Sequence, residues 1–252
     1  MVDTPTAQVV IPARMESSRL PGKVLADIDG KPMLRHVCER SARARLVSSV
    51  SVATDSPQVA EHVRDWGFSV HMTSPDAPSG TARIASVLDK LDSQIIVNVQ
   101  GDEPLIEPEL IDEVIVALRD SDAAVATPVY PIAALGDIQD PNVVKVVVDS
   151  AGRAMYFSRS PVPYVRDAQE QDWPAAVQFW GHVGLYGFRR SALAAYPALP
   201  VGELETSERL EQLRFLEAGI DILTVRTESP SMGVDTPDDL ERVRRKFAEG
   251  RA

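Results

Sequence analysis

Short apolar runs alternate with amphipathic stretches along most of the chain. Residues 7–11 form a strand-like run that stops at Pro12, and a helical pattern follows from Pro32 to about residue 43. Pro32 suits a first helical turn, where its missing N–H is not needed. Next come a strand at 50–54, a helix at 56–66 and a short strand at 68–72. Residues 81–91 predict an amphipathic helix with Ile84, Val87, Leu88 and Leu91 on one face. The run Ile95-Ile96-Val97-Asn98-Val99 carries the strongest signal of a strand buried on both faces, with a helix after it at 108–118. A further strand is expected at 123–129, then short strands and irregular polar segments from 143 to 188. A helix over 207–218, a strand at 222–225 and a final helix over 237–247 complete the pattern.

Strands separated by helices of this length make crossover connections, hence a mainly parallel twisted sheet with helices on both faces. The expected architecture is therefore a three-layer α/β sandwich. It forms a single domain over residues 1–252, with a smaller β-rich lobe at roughly 130–190. Sheets of this kind bind ligands beyond the C-terminal ends of their strands, at a switch in strand order. The loop 12–23, the pair Thr54-Asp55 and the segment 100–103 all fall in that position.

Composition narrows the chemistry. The chain has 252 residues, 37 acidic against 26 Lys plus Arg, and a formal charge of −11. A phosphate backbone selects a basic surface, so nucleic acid is not an expected partner. Against this acidic background, Arg14, Arg19 and Lys23 share one loop around Leu20-Pro21-Gly22. Guanidinium forks, an ammonium and the backbone donors of Ser17, Ser18 and Gly22 read as a cradle for a small phosphorylated ligand, or else as a solvated basic loop. The pattern is not a Walker loop. A single cysteine, Cys38, lies in an apolar helical pattern and reads as a core thiol in a reducing compartment. Without a signal pattern or an apolar run near 18 residues, the expected location is cytoplasmic and off the membrane.

Two carboxylates stand out. Asp102, in "VNVQGDEP", follows the buried strand; it is either a ligand for Mg²⁺ or, with Glu103, a cap for the next helix. In "GVDTPDDLERV", capping accounts for Thr236, Pro237 and Asp239 and leaves Asp235 over. In "SGTAR", Ser79, Gly80 and Thr81 open a helix and either cap it or meet a ligand. His182 sits among Gly181, Gly184 and Gly187, and both function and packing stay open for it. Along 207–218, Leu210, Leu213 and Phe215 read as core, with Glu211 and Gln212 on a solvated face.

Taken in order, "IPARMESSRLPGKVLADIDGKPML", "SVATDS", "SGTAR", "VNVQGDEPLI", "NVVKVVVD", "YFSRSPVPY", "GHVGLYGFRR", "LEQLR" and "GVDTPDDLERV" resemble the 3-deoxy-manno-octulosonate cytidylyltransferase family. The resemblance implies a nucleotide-diphospho-sugar-transferase-like fold, a homodimer and a transferase. Its reaction would be Mg²⁺-dependent transfer of CMP from CTP to an eight-carbon 2-keto sugar acid, feeding lipopolysaccharide synthesis. By the same resemblance, Arg14, Lys23, Asp102 and Asp235 are catalytic, and Asp102 and Asp235 hold the metal. Pro12, Ala13, Arg14, Arg19, Lys23, Ser79, Gly80, Arg83 and Gln100 would bind the nucleotide. Gln100, Arg159, His182, Tyr186, Glu211 and Gln212 would bind the sugar acid, Arg159 at its carboxylate. Ala82, where the family commonly has an acidic residue, and Trp180, in a region often more basic, depart from the pattern. The 8-amino-3,8-dideoxy analogue, N-acetylneuraminate or a sugar 1-phosphate remain alternative acceptors. A scaffold that kept the fold but lost catalysis would lack these carboxylates or cations.

Overall fold

The computed structural model describes residues 7–16, 20–228 and 232–250. Its centre is a sheet that, among the described residues, has ten strands. The chain enters at β1 (Ala7–Ala13) and crosses over through α1 (Met33–Ser41) to β4 (Val47–Thr54). From there α2 (Pro57–Asp65) leads to β5 (Ser69–Met72) at one edge. Between β1 and α1, the pair β2 (Asp27–Ile28) and β3 (Lys31–Pro32) forms a separate antiparallel ribbon. The chain then returns through α3 (Gly80–Ala85) to β6 (Ile95–Val99), which pairs with the other side of β1. β5, β4, β1 and β6 are mutually parallel. The reversal of strand order between β1 and β6 is the switch point at which such sheets open a crevice.

Beyond β6 the sheet becomes mixed. α4 (Pro108–Arg119) leads to β7 (Val125–Ile132), and α5 (Leu135–Gln139) to the hairpin of β8 (Lys145–Val148) and β9 (Ala154–Ser158). The short α6 (Trp173–Ala176) precedes β10 (Phe179–His182) and β11 (Leu185–Arg189). These last two follow one edge of β7 with a bend at residues 183–184. β11 thereby inserts antiparallel between β6 and β7, whereas β10 carries β8 on its outer side. The strands from 130–190 thus continue the main sheet, with a small apolar cluster of their own around Ile132, Ile138, Trp173 and Phe179. β12 (Ile222–Arg226) pairs parallel with β7.

Two apolar layers flank the sheet. On one face Val9, Ile11, Val52, Val97 and Val99 pack against Leu34, Val37, Val59, Ile111 and Val114 of α1, α2 and α4. On the other, Val10, Ile96, Tyr186 and Phe188 meet Ile84 of α3 and the aromatic side chains of Tyr196 and Phe215. α7 (Arg190–Ala195) adds Leu193 to this second layer. Cys38 lies fully inside the first. Burial, reinforced by the Glu39 charge, pushes its thiol up to about 12, so it is an inert packing group.

Two expected helices are shorter than their sequences suggest. α3 stops at Ala85, where Ser86 Oγ donates to Arg83 O at 2.7 Å and competes with the helical ladder. Ile84, Val87, Leu88 and Leu91 are nevertheless all buried. The single helix expected over 207–218 is instead α8 (Glu203–Glu208) and α9 (Leu213–Glu217), separated at Arg209 with φ 54°. On a continuous helix Leu213 and Phe215 would lie about 200° apart, on opposite faces. They are that far apart within α9 as well, and both are buried because this short helix is covered on two sides. Glu211, which accepts from Thr81 N, and Gln212, 3% exposed, turn inward, which corrects the expectation that they form a solvated face. Finally, Leu240 and Val243 of α10 (Pro237–Ala248), with Val234 just before it, cluster with Ile28 of β2 and Met33 of α1.

A close helix-to-sheet approach tests this packing. A Cβ on Gly187 in β11 would lie 2.6 Å from Val114 Cγ1 and 2.8 Å from Leu118 Cδ1 of α4. Gly187→Ala is expected to cost about 1–3 kcal/mol through overpacking. Urea unfolding checks this, and an unchanged midpoint would contradict the packing described.

Candidate active site

A cleft of about 240 Å³ opens at the switch point. Its floor is the C-terminal end of β1, with Pro12, Ala13 and Arg14, beside the exit of β6, with Gln100, Gly101 and Asp102. Ser79, Gly80 and Arg83 of α3 form one wall; Lys23 and Asp235 form the other. Ten residues expected from the sequence to contact nucleotide or metal therefore meet in one place. Arg19 lies outside the described residues.

Lys23 organises the charged wall. Gly22, at φ 69°, makes the turn, and its N–H donates to Met15 O at 3.0 Å. This carries Lys23 inward to 15% side-chain exposure. Its Nζ donates to Asp102 Oδ2 at 2.6 Å, to Asp235 Oδ1 at 2.9 Å and to Val234 O at 3.2 Å. One ammonium thus joins residues 79 and 212 positions away in sequence. Burial alone would lower the Lys23 pKa, but the charge and hydrogen bond of Asp102, seconded by Asp235, outweigh it and hold the pKa above its ordinary value. Lys23 is therefore fully cationic at neutral pH.

Capping fixes the second carboxylate. Thr236 Oγ1 accepts from Asp239 N, and Asp239 Oδ2 accepts from Thr236 N at 2.8 Å, the capping box expected from the sequence. Asp239 Oδ2 also accepts from Asp235 N at 3.1 Å, and Val234 N donates to Asp102 O at 2.9 Å. The start of α10 therefore positions Asp235 rather than being capped by it. The capping alternative for Asp102 and Glu103 also fails, because the N-cap of α4 is Glu107, without a side-chain cap bond.

The donor set suits a hard divalent cation. Asp102 Oδ2 and Asp235 Oδ1 already share one cationic centre, and carboxylate oxygens are the ligands Mg²⁺ prefers. Among the described residues, no three His, Cys, Asp or Glu side chains converge as a metal cage. A metal held by this pair therefore needs further oxygen ligands, which a polyphosphate has.

The α3 wall is pinned from behind. Ser79 Oγ caps Ala82 N at 3.2 Å and lies 3.3 Å from Tyr196 Oη. Arg83 is 4% exposed and pairs with Asp55 Oδ2 at 3.1 Å, tying α3 to the end of β4. Arg214 stacks over the Tyr196 ring at 4.5 Å and is itself held by both Glu205 oxygens at 2.6 and 2.7 Å. Nothing in the spacing of Asp55, Tyr196, Glu205 and Arg214 announces this support, since their partners lie on other elements.

The residues expected at the sugar acid do not share one wall. His182 lines a second cavity of about 840 Å³, which meets the first at Asp102 and Asp235. Thr127 Oγ1 donates to Leu185 O at 2.7 Å, so it accepts the Nε2–H of His182 at 2.9 Å and leaves Nδ1 as an acceptor. Burial lowers the His182 pKa to about 3, so the ring is neutral. Tyr186, Glu211 and Gln212 lie behind α3 and line neither cavity. Glu211 Oε2 accepts from Thr81 N at 3.1 Å, and burial raises its pKa despite hydrogen bonds from Ser79 and Thr81. Arg159 lies beyond β9, where its guanidinium donates to Glu208 O at 2.7 Å and Pro141 O at 2.9 Å. A contact the sequence reading passed over lies inside β6, where Asn98 Oδ1 accepts from Gln100 Nε2 at 3.0 Å.

Comparison with known proteins identifies the family. The Cytidylyltransferase family matches residues 8–222. The 3-deoxy-manno-octulosonate cytidylyltransferase of Geobacter sulfurreducens is 51% identical over 244 residues, covering 94% of this chain and 98% of its own. That of Solibacter usitatus is 51% identical over 239 residues, covering 94% and 93%. A solved CMP:2-keto-3-deoxy-manno-octonic acid synthetase complexed with CTP has a TM-score of 0.91 at 43% identity, covering 97% of this chain and 99% of its own. A glucose-1-phosphate thymidylyltransferase of Bacillus anthracis, at 13% identity and TM-score 0.68, shares the fold. With the cleft at the β1–β6 switch point and relatives matched over nearly their whole length, this chain is an enzyme of the 3-deoxy-manno-octulosonate cytidylyltransferase family.

Proposed function

We propose that the enzyme transfers the cytidylyl group of CTP to the anomeric hydroxyl of 3-deoxy-manno-octulosonate, releasing pyrophosphate, with Mg²⁺ held by Asp102 and Asp235. The observation that carries this reading is Lys23, whose ammonium unites two carboxylates from distant segments directly beside Arg14 in the cleft. Such a wall matches a triphosphate with a divalent ion: two anionic groups for the metal and fixed cations for phosphate oxygens. When bound, the metal would neutralise charge on the phosphates and polarise the α-phosphorus.

The chain's own groups supply the rest. Exposed Arg14 is the guanidinium at the mouth of the cleft, suited to bidentate phosphate contact. Lys23 offers a permanent charge to the departing pyrophosphate. Ser79, Gly80 and Pro12 line the part of the cleft open to the base, with the acceptor approaching from the His182 side. The sugar oxygen bonds to the α-phosphorus as the bond to the β-phosphate oxygen breaks, and the hydroxyl proton passes to a carboxylate of the pair. Neutral His182 is unsuited to that proton. It serves as a hydrogen-bonding surface set by Thr127.

The decisive assay pairs CTP, UTP and ATP with 3-deoxy-manno-octulosonate, its 8-amino-3,8-dideoxy analogue and sialic acid, and measures pyrophosphate. Release is expected with CTP and the first acid; release with none of the acceptors would overturn the reading. Asp102→Asn is expected to lower kcat on the order of 10³-fold while CTP binding largely persists. Near-normal turnover would remove Asp102 from the chemistry. His182→Gln should lower kcat/KM yet leave the shape of its pH profile between 5.5 and 9 unchanged, because about 3 is far below that window. Loss of an acidic limb in this variant would show that His182 carries a proton.

A further inference from the structure

β6 contains one polar side chain among four aliphatic ones, and all five are buried. Asn98 is 0% exposed, and its Nδ2 has no hydrogen-bond partner. Leaving a buried amide donor unpaired costs about 1–3 kcal/mol, so packing alone favours Leu or Val at this position. The bond that Asn98 does make is informative: its Oδ1 accepts from Gln100 Nε2 at 3.0 Å.

Gln100 stands at the junction of the two cavities. It lines the nucleotide-side cleft, where a Cβ on Gly80 would lie 3.6 Å from both its Nε2 and its Oε1. On the other side, a Cβ on Gly184 would lie 3.6 Å from its Cγ, and Gly184 lines the cavity of His182. A glutamine has three side-chain torsions and a terminal amide that turns freely when unheld. With one N–H given to Asn98, the amide plane is fixed and Oε1 and the second N–H remain for the cleft. Asn98 can do this because it is two residues back along the strand, on the same face as Gln100, and backed by Val10 and Tyr186 in the adjacent strands.

We propose that Asn98 is a positioning residue that fixes the Gln100 amide between the nucleotide cleft and the acceptor cavity, and so sets affinity for the sugar acid. This rests on the function proposed above, with Gln100 facing the acceptor. Asn98 itself contacts no substrate.

The test is a cycle of Asn98→Leu, Gln100→Ala and the double variant, with KM for each substrate, kcat and Tm measured for all. Asn98→Leu should keep or raise Tm, raise KM for 3-deoxy-manno-octulosonate about 10-fold and leave KM for CTP within about twofold. In the Gln100→Ala background, Asn98→Leu should add nothing further, because the two residues act as a unit. Additive effects, or a fall in Tm with both KM values unchanged, would overturn the proposal. A second readout needs no substrate. The Gln100 side-chain amide signals in ¹H–¹⁵N spectra of the ligand-free protein should be protected in the wild type and exchange-averaged in Asn98→Leu. Identical Gln100 signals in the two proteins would refute the positioning role whatever the acceptor. Lack of turnover with any acid, alongside the expected spectra, would instead refute the substrate.

Discussion

The Lys23 ammonium, with Asp102 and Asp235 within 2.9 Å, is the contact on which the rest of the site depends. It closes the first loop of the chain onto the exit of the central strand and onto the start of the last helix. The two carboxylates repel each other, and the ammonium between them offsets that repulsion. The ammonium supplies one positive charge against two negative ones. That imbalance leaves the site receptive to a second cation while keeping the lysine charged for an anionic ligand.

Everything around this contact makes it stiff. The β1–β6 reversal of strand order opens the crevice, and Asp235 is held by the capping box of α10 instead of by a mobile loop tip. α3 is pinned by Arg83 to Asp55 and, through Ser79 and Tyr196, to the Arg214–Glu205 pair. Phosphoryl transfer relies on positioning and charge neutralisation, so rigidity in these walls is the main contribution a protein can make. On the proposed reading, an acidic protein can take a triphosphate because Arg14 and Lys23 meet in one cleft at the end of β1.

The parallel strands, the crevice and the charged wall were readable from the sequence because each leaves a local trace. Buried parallel strands are continuous apolar runs, the basic loop is compact, and a capping box accounts for Thr236 and Asp239 but leaves Asp235 over. Long-range choices left no such trace. The insertion of β11 between β6 and β7 depends on Gly187 allowing α4 to approach, and the break falls at Arg209, a left-handed residue that is not a glycine. Glu211 and Gln212 therefore read as solvated, and are found half-buried and buried. Asn98 did have a signal, one amide inside an otherwise aliphatic strand, but its meaning required seeing Gln100 folded back onto it.

On the reading proposed above, Asp102 and Asp235 take up Mg²⁺ while sharing the Lys23 ammonium. Thermal unfolding of Lys23→Met against the wild type, with Mg²⁺ titrated into each, tests this most directly. Without its ammonium the carboxylate pair should bind the metal, so Tm of the variant should be lower in metal-free buffer and rise with Mg²⁺ concentration more than that of the wild type. A variant whose Tm ignores Mg²⁺ would contradict the account.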